Sequence, residues 1–280
     1  MSGFASVYRE FKDVNTFMSE LKKILGVAVC EPYKLTIAYD GSRYQGWQRQ
    51  SNTDKTIQGL LEQAASEAAG YPVEVQGSGR TDGGVHAKGQ TASVILRGKV
   101  QESEFLQNMN RLLPLDIRVI EMELVKNGFH ARLSAVGKCY EYWIDMREKP
   151  DVFMRKYTYH YPKELNIEAM QRAADDLIGR YDFAAFTDKK EEKSTIRTIY
   201  AIIVEVQGDK LRIEYRGSGF MYHMVRILTG TLLEVGDGRR TPESVKAALA
   251  GRDRADAGFL APARGLTLKE CIIRLGAVRK

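Results

Sequence analysis

Gly77-Ser78-Gly79-Arg80-Thr81-Asp82-Gly83-Gly84-Val85-His86-Ala87 sets one carboxylate and one arginine among glycines. Four of the eight residues from Gly77 to Gly84 are glycine, so the backbone can turn tightly and come close to a ligand. An aspartate in such a loop fills no core and solvates no helix face. The roles open to it are a turn or helix cap, a metal ligand, or chemistry on something bulky that must approach the main chain. Common glycine motifs are excluded. Asp82 stands where a dinucleotide-binding fingerprint needs its third glycine, no Gly-Lys-Ser/Thr follows, and Gln76 stands where a nucleophile elbow needs glycine.

Strand patterns flank the loop, over residues 72–76 on the way in and 91–97 on the way out, so a rigid sheet would aim Asp82. Upstream, residues 33–39 alternate as a strand and end at the turn signal Asp40-Gly41-Ser42. Tyr44-Gln45-Gly46-Trp47-Gln48-Arg49-Gln50 follows. Rings interleaved with amides suit nucleobase contact, and equally a capped loop around one core tryptophan. A helix is predicted over 56–69, closed by Gly70.

Downstream the pattern predicts a helix over 103–112 ended by Pro114, a strand over 117–124, and a ring-rich strand over 139–144. Alternation puts Tyr140 and Tyr142 on one face, the usual place of half-buried sheet tyrosines. Next come a helix over 167–178, a hairpin of strands 196–206 and 211–215 around Gln207-Gly208-Asp209, and an apolar helix over 220–235 opened by Gly217-Ser218-Gly219. That helix carries a single arginine, Arg226, which must find an anion or reach the surface along its stem. Thr241-Pro242 predicts the start of a last helix, and residues 268–275 a closing strand.

The whole reads as α+β: two similar halves of mostly antiparallel sheet with helices on one side and a cleft between them. The expected division is an N-terminal extension (1–30), a first half (31–146) and a second half (147–280). Within the extension, Met18, Leu21, Ile24 and Leu25 fall at helical spacing between Thr16 and Gly26, predicting a short amphipathic helix over 16–25. It has neither the basic start nor the apolar core of a secretory signal. Residues 189–193 (KKEEK) predict an exposed loop.

Composition narrows the class. At 280 residues with 44% hydrophobic and 28% charged side chains, the chain has the make-up of an ordinary globular protein. Lys plus Arg number 42 against 36 acids, a net charge of +6 that is compatible with a polyanionic partner. Cys30, Cys139 and Cys271 form no CxxC pair, and His86, His130, His160 and His223 have no metal-binding spacing, so neither a disulfide framework nor a metal site is expected. No apolar run reaches the roughly 18 residues of a membrane helix. The expectation is a cytoplasmic protein without membrane association.

Six ordered blocks carry a family resemblance across residues 33–275. They are YDGSRYQGWQRQ (39–50), SGRTDGGVHA (78–87), LPLDI (113–117), FHARLSA (129–135) with Lys138-Cys139-Tyr140-Glu141-Tyr142, HMVRILTGTLLEVG (223–236) and APARGLTL (261–268). In these the chain resembles the tRNA pseudouridine synthase A family. Ser78 and Gly83 replace the family's usual alanines beside the GRTD core, a small change in bulk.

The resemblance implies the pseudouridine synthase fold with a central RNA-binding cleft, and an isomerase needing no cofactor. Asp82 would be the catalytic aspartate, acting on a uridine either by attack on C1′ or by helping to remove the C2′ proton. The freed uracil then turns and rejoins through C5. Tyr140 would lie against the flipped base and could assist loss of the C5 proton. Arg226 would pair with Asp82, and Arg80 would enter the space the base leaves or contact its phosphates. The substrates implied are uridines 38–40 of the tRNA anticodon stem-loop, held by a homodimer. The rival reading is a catalytically silent or retargeted RNA-binding paralogue. A glycoside hydrolase would need a second carboxylate opposite the first, which no motif supplies.

Overall fold

In the computed structural model, residues 29–188 and 194–274 are described. The helix expected over 16–25 and the loop expected over 189–193 lie outside them. Strand β1 (Cys30–Tyr39) alternates as its sequence demands: Tyr33, Leu35, Ile37 and Tyr39 are buried, while Lys34, Thr36 and Ala38 are half-buried. It pairs antiparallel with β3 (His86–Arg97) on one side and β4 (Ile117–Leu124) on the other. Helices α1 (Ile57–Ala69) and α2 (Glu102–Leu112) pack together, and α2 rests on β4. Thr56 caps α1 by accepting from Gly59 N, and Gly70 ends it in the left-handed conformation, φ 76°.

The rest of the sheet follows the same plan, starting from β5 (Ala135–Asp145), which precedes the expected boundary at 146 and yet pairs with the strands beyond it. β5, β9 (Lys210–Gly217), β8 (Ile196–Gln207) and β7 (Gly179–Asp182) run antiparallel in that spatial order. Helix α3 (Ile167–Asp175) packs on β8 and on α4 (Met224–Gly236), whose residues are buried almost all round. The halves meet through β10 (Leu266–Ile273), antiparallel to β5 along its length and parallel to β3 at Thr267 and Leu268. One continuous sheet results, ordered β4-β1-β3-β10-β5-β9-β8-β7, with the two-residue β6 (Tyr159–His160) parallel to the end of β5. Among the described residues no helix is long and apolar enough to cross a membrane.

The two faces of this sheet differ. Tyr140, Tyr142, Ile213 and Tyr215 point into the helix-covered core. Their sequence neighbours Glu141, Arg212 and Glu214 join Lys88 and Lys269 in ion pairs on the other side.

Several elements depart from expectation. Residues 72–75 are extended but unladdered. Only β2 (Gln76–Gly77) pairs with β3, because α1 satisfies the preceding backbone: Ser66 Oγ accepts from Val73 N, Glu62 from Val75 N, and Gln58 donates to Val75 O. β3 begins at His86 rather than 91, since β1 and β10 supply partners that the polar run His86–Gln90 does not announce. Helix α4 begins at Met224, not 220, because His223 is left-handed (φ 62°) and breaks the helical path. Helix α5 (Ser244–Gly251) starts after Thr241-Pro242, which instead form turns bonded to Ser244 N and Val245 N.

Candidate active site

The loop 77–85 is fixed at both shoulders. Ser78 N donates to Thr91 O at 2.8 Å, and Gln90 Nε2 to Gly79 O at 3.0 Å. Tyr39 Oη and Thr81 Oγ1 lie 2.8 Å apart in the core. The stretch 44–50 braces the loop from outside: Trp47 N donates to Thr81 O (3.0 Å), Gly84 N to Tyr44 O (3.2 Å), and the buried Trp47 ring lies where a side chain on Gly77 would collide with it. Trp47 is therefore a core tryptophan that shapes the loop, not a free platform for a base.

Asp82 emerges from this frame into a cleft of about 790 Å³ between the halves. Its carboxylate stays one-fifth exposed. Arg226 Nη1 stands 3.3 Å from Oδ2, while Arg226 Nε donates to Ala261 O at 2.7 Å. So the lone arginine of the apolar helix turns inward, and the backbone just before β10 holds it there. Burial in an apolar helix is tolerable for a guanidinium so paired. His223 Nε2 lies 3.7 Å from the same Oδ2. Among the described residues lining the cleft, Asp82 is the one carboxylate.

Tyr140 forms part of the cleft wall, 7% exposed, its ring edge-on to Phe220 with centroids 5.4 Å apart. Burial, with Cys271, Tyr39 and Asp82 nearby, pushes its phenol well above the usual tyrosine range. Arg80 sits exposed beside the cleft without an ion pair to any described residue. The structure thus brings Asp82, Arg226, Tyr140 and Arg80 to one cleft.

Sequence reasoning missed further lining groups. Lys138, two residues before Tyr140 and on the same face of β5, places its ammonium against Gly79, where any side chain would collide with it. Burial pushes that ammonium below the ordinary lysine value, and the nearby Arg132 adds to the effect while Cys271 opposes it. Arg132 and Arg197 also line the cleft, and neither meets a described carboxylate; the Arg197 guanidinium donates to the carbonyls of Ser194 and Ile196. The signal for Lys138 was the i, i+2 spacing to Tyr140, which alternation places on one face.

A family model described as tRNA pseudouridine synthase matches residues 35–132 and 173–272. The chain belongs to the tRNA pseudouridine synthase family. It is 46% identical over 238 residues to tRNA pseudouridine synthase A of Bacillus sp. (strain KSM-64), covering 85% of this chain and 97% of that one. Identity to tRNA pseudouridine synthase A 2 of Clostridium tetani (strain Massachusetts / E88) is 44% over 85% of this chain and 96% of the relative. To that of Bacillus thuringiensis subsp. konkukian (strain 97-27) it is 42% over 85% and 97%. The matched segments of this synthase-family chain contain Asp82, Arg80 and Arg226; Tyr140 and Lys138 fall in the stretch between them.

Proposed function

We propose that this chain is a tRNA pseudouridine synthase, an isomerase that converts uridine to pseudouridine at positions 38–40 of the anticodon stem-loop. It works in the cytoplasm as a homodimer, with no cofactor. The observation that carries the reading is the single carboxylate Asp82, held at 3.3 Å by Arg226 in a cleft whose other charged side chains, among the described residues, are lysine and arginine. A polyanion fits cations that lack carboxylate partners, and one carboxylate suffices for an isomerisation that breaks and remakes a bond at C1′.

Asp82 acts on the target ribose to break N1–C1′, and Arg226, 3.3 Å from its carboxylate, aims it. Tyr140 offers the uracil a ring to lie against once it is flipped. Arg80, Arg132, Lys138 and Arg197 take backbone phosphates, and exposed Arg80 is placed to enter the gap left in the stem.

The test is incubation with an unmodified tRNA transcript and mapping of pseudouridine by chemical labelling. Wild-type protein is expected to modify the anticodon arm. Asp82→Asn, which keeps size but removes charge and basicity, is expected to lose about 10⁴-fold or more in rate, the upper end of a single group's contribution, while filter binding of tRNA stays normal. Binding without modification by the wild type identifies the silent paralogue instead.

A further inference from the structure

His223 is the second side chain on Asp82, and the reaction just proposed leaves it without a task. It occupies a left-handed backbone position (φ 62°) that residues with side chains seldom adopt. The position is held from several sides. Thr187 Oγ1 donates to Tyr222 O at 3.0 Å, Ile227 N donates to His223 O, and the imidazole stacks on the Tyr222 ring with centroids 3.6 Å apart. Its Nδ1 lies 2.6 Å from Asp188 Oδ2, and Arg254 Nε holds the other Asp188 oxygen at 2.7 Å. The opposite nitrogen, Nε2, faces Asp82 Oδ2 at 3.7 Å. A chain Arg254–Asp188–His223 therefore ends in the cleft beside the reacting carboxylate.

This chain fixes the tautomer. Burial works against the charge on Asp188, yet hydrogen bonds from His223 and Arg254 hold its carboxyl below the usual range, so it accepts and does not donate. The hydrogen of a neutral imidazole then resides on Nδ1, and Nε2 turns a lone pair toward the cleft.

Isomerisation needs such a lone pair. Breaking N1–C1′ leaves the electron pair on uracil, and C5 uses it to bond C1′. C5 then carries both the new bond and its old hydrogen. That proton must leave, its electrons closing the C5=C6 double bond while the C6=N1 pair returns to N1, which takes a proton. One proton is lost and one gained, so no further reactant is required. Because the new bond forms at C1′, where Asp82 acts, the base must stand next to Asp82. Tyr140 is a poor candidate: its raised phenol stays protonated at neutral pH and has no lone pair of comparable basicity.

We propose that His223 accepts the proton from C5 through Nε2 and that Asp188, backed by Arg254, stabilises the imidazolium until it returns a proton toward N1. This rests on the synthase reading above. The assignment makes His223 a catalytic residue and Asp188 a positioning one.

The experiment compares single-turnover rates on tRNA transcripts made with ordinary and 5-deuterated uridine, alongside tRNA affinity. His223→Asn retains tolerance of the left-handed backbone and a donor for Asp188 but has no basic nitrogen. It is expected to slow conversion roughly 100-fold or more, to show a larger deuterium isotope effect than wild type, and to bind tRNA normally. His223→Ala should regain part of its rate with added imidazole. A wild-type rate in His223→Asn, or slowing with an unchanged isotope effect, overturns the assignment and leaves the C5 proton to Asp82. Absence of product from the wild type would instead remove the synthase reading and this one with it.

Discussion

On the face of the sheet away from the helices, Glu141 is gripped by Lys88, Arg212 and Lys269, and Glu214 by Arg212, Arg216 and Lys269. On the cleft face, Arg80, Arg132, Lys138 and Arg197 meet no described carboxylate, and Asp82 is the one acid beside them. Strand β5 contributes to both sets: Glu141 and Lys138 belong to it and differ only in the parity of their positions. Paired charge on one face satisfies itself, whereas unpaired cations on the other leave a field that only a ligand can complete. The back face is built for the fold and the cleft face for a polyanion.

The largest expected effect lies in the cleft. Arg226→Met matches its apolar neighbours but deprives Asp82 of its closest cation. Single-turnover conversion should drop about 10²–10³-fold, as for loss of one preorganised electrostatic partner. Thermal unfolding should show a cost of only about 1 kcal/mol for the lost bond to Ala261 O. Full activity in this variant would reduce the Asp82–Arg226 contact to a structural one.

The back face should respond the other way. Glu214→Gln leaves Arg212, Arg216 and Lys269 facing a neutral amide, with turnover per folded molecule unchanged. The expected loss is about 2 kcal/mol in denaturant unfolding, less than for a fully buried pair because Arg216 and Lys269 reach water. Burial alone would raise the Glu214 carboxyl, but hydrogen bonds from Lys269, Arg216 and Arg212 pull it down to about 2. Its folded value lies below its unfolded one, so its stabilisation is complete above the unfolded value near 4.5 and is lost as pH falls toward 2. Unfolding curves of wild type and variant should therefore converge on acidification. Curves that stay parallel would deny the network its stabilising part.

The smallest effect sharpens the contrast. Lys138→Met should stabilise the protein by about 1 kcal/mol, since it removes a charge buried without a carboxylate. Burial lowers the Lys138 value below that of the unfolded chain, so the penalty it imposes is full below the folded value and fades as pH rises from the folded value toward the unfolded one. The same variant should bind tRNA more weakly and lower the slope of log affinity against log salt by about 1. Destabilisation with unchanged salt dependence would move Lys138 to the side of the structural charges.

Some of this was legible in the chain because it depends on neighbours in sequence. Gly70 closes α1 as predicted, and the helix expected from 56 starts one residue later because Thr56 serves as its cap, both being local chemistry. The hairpin at Gln207-Gly208-Asp209 formed as its turn residues demand. The glycine loop singled out Asp82, and the apolar helix left Arg226 to find an anion or reach the surface; it lies 3.3 Å from Asp82. Residues 72–75 misled because an alternating extended run looks the same whether a strand or a helix side chain satisfies its backbone.

The sequence by itself determined the residue types, the alternation that separates Lys138 and Tyr140 from Glu141, and the glycine content that lets the loop approach Trp47 and Lys138 closely. Tertiary structure alone decided that β10 lies between β3 and β5, and so brings the first half's Asp82 to the second half's Arg226. It alone placed His223 between Asp82 and Asp188. Periodicity states which way a side chain points from its own backbone and carries no information about which distant strand will stand beside it. Partners remote in the chain are chosen by the burial and hydrogen bonding of the assembled sheet.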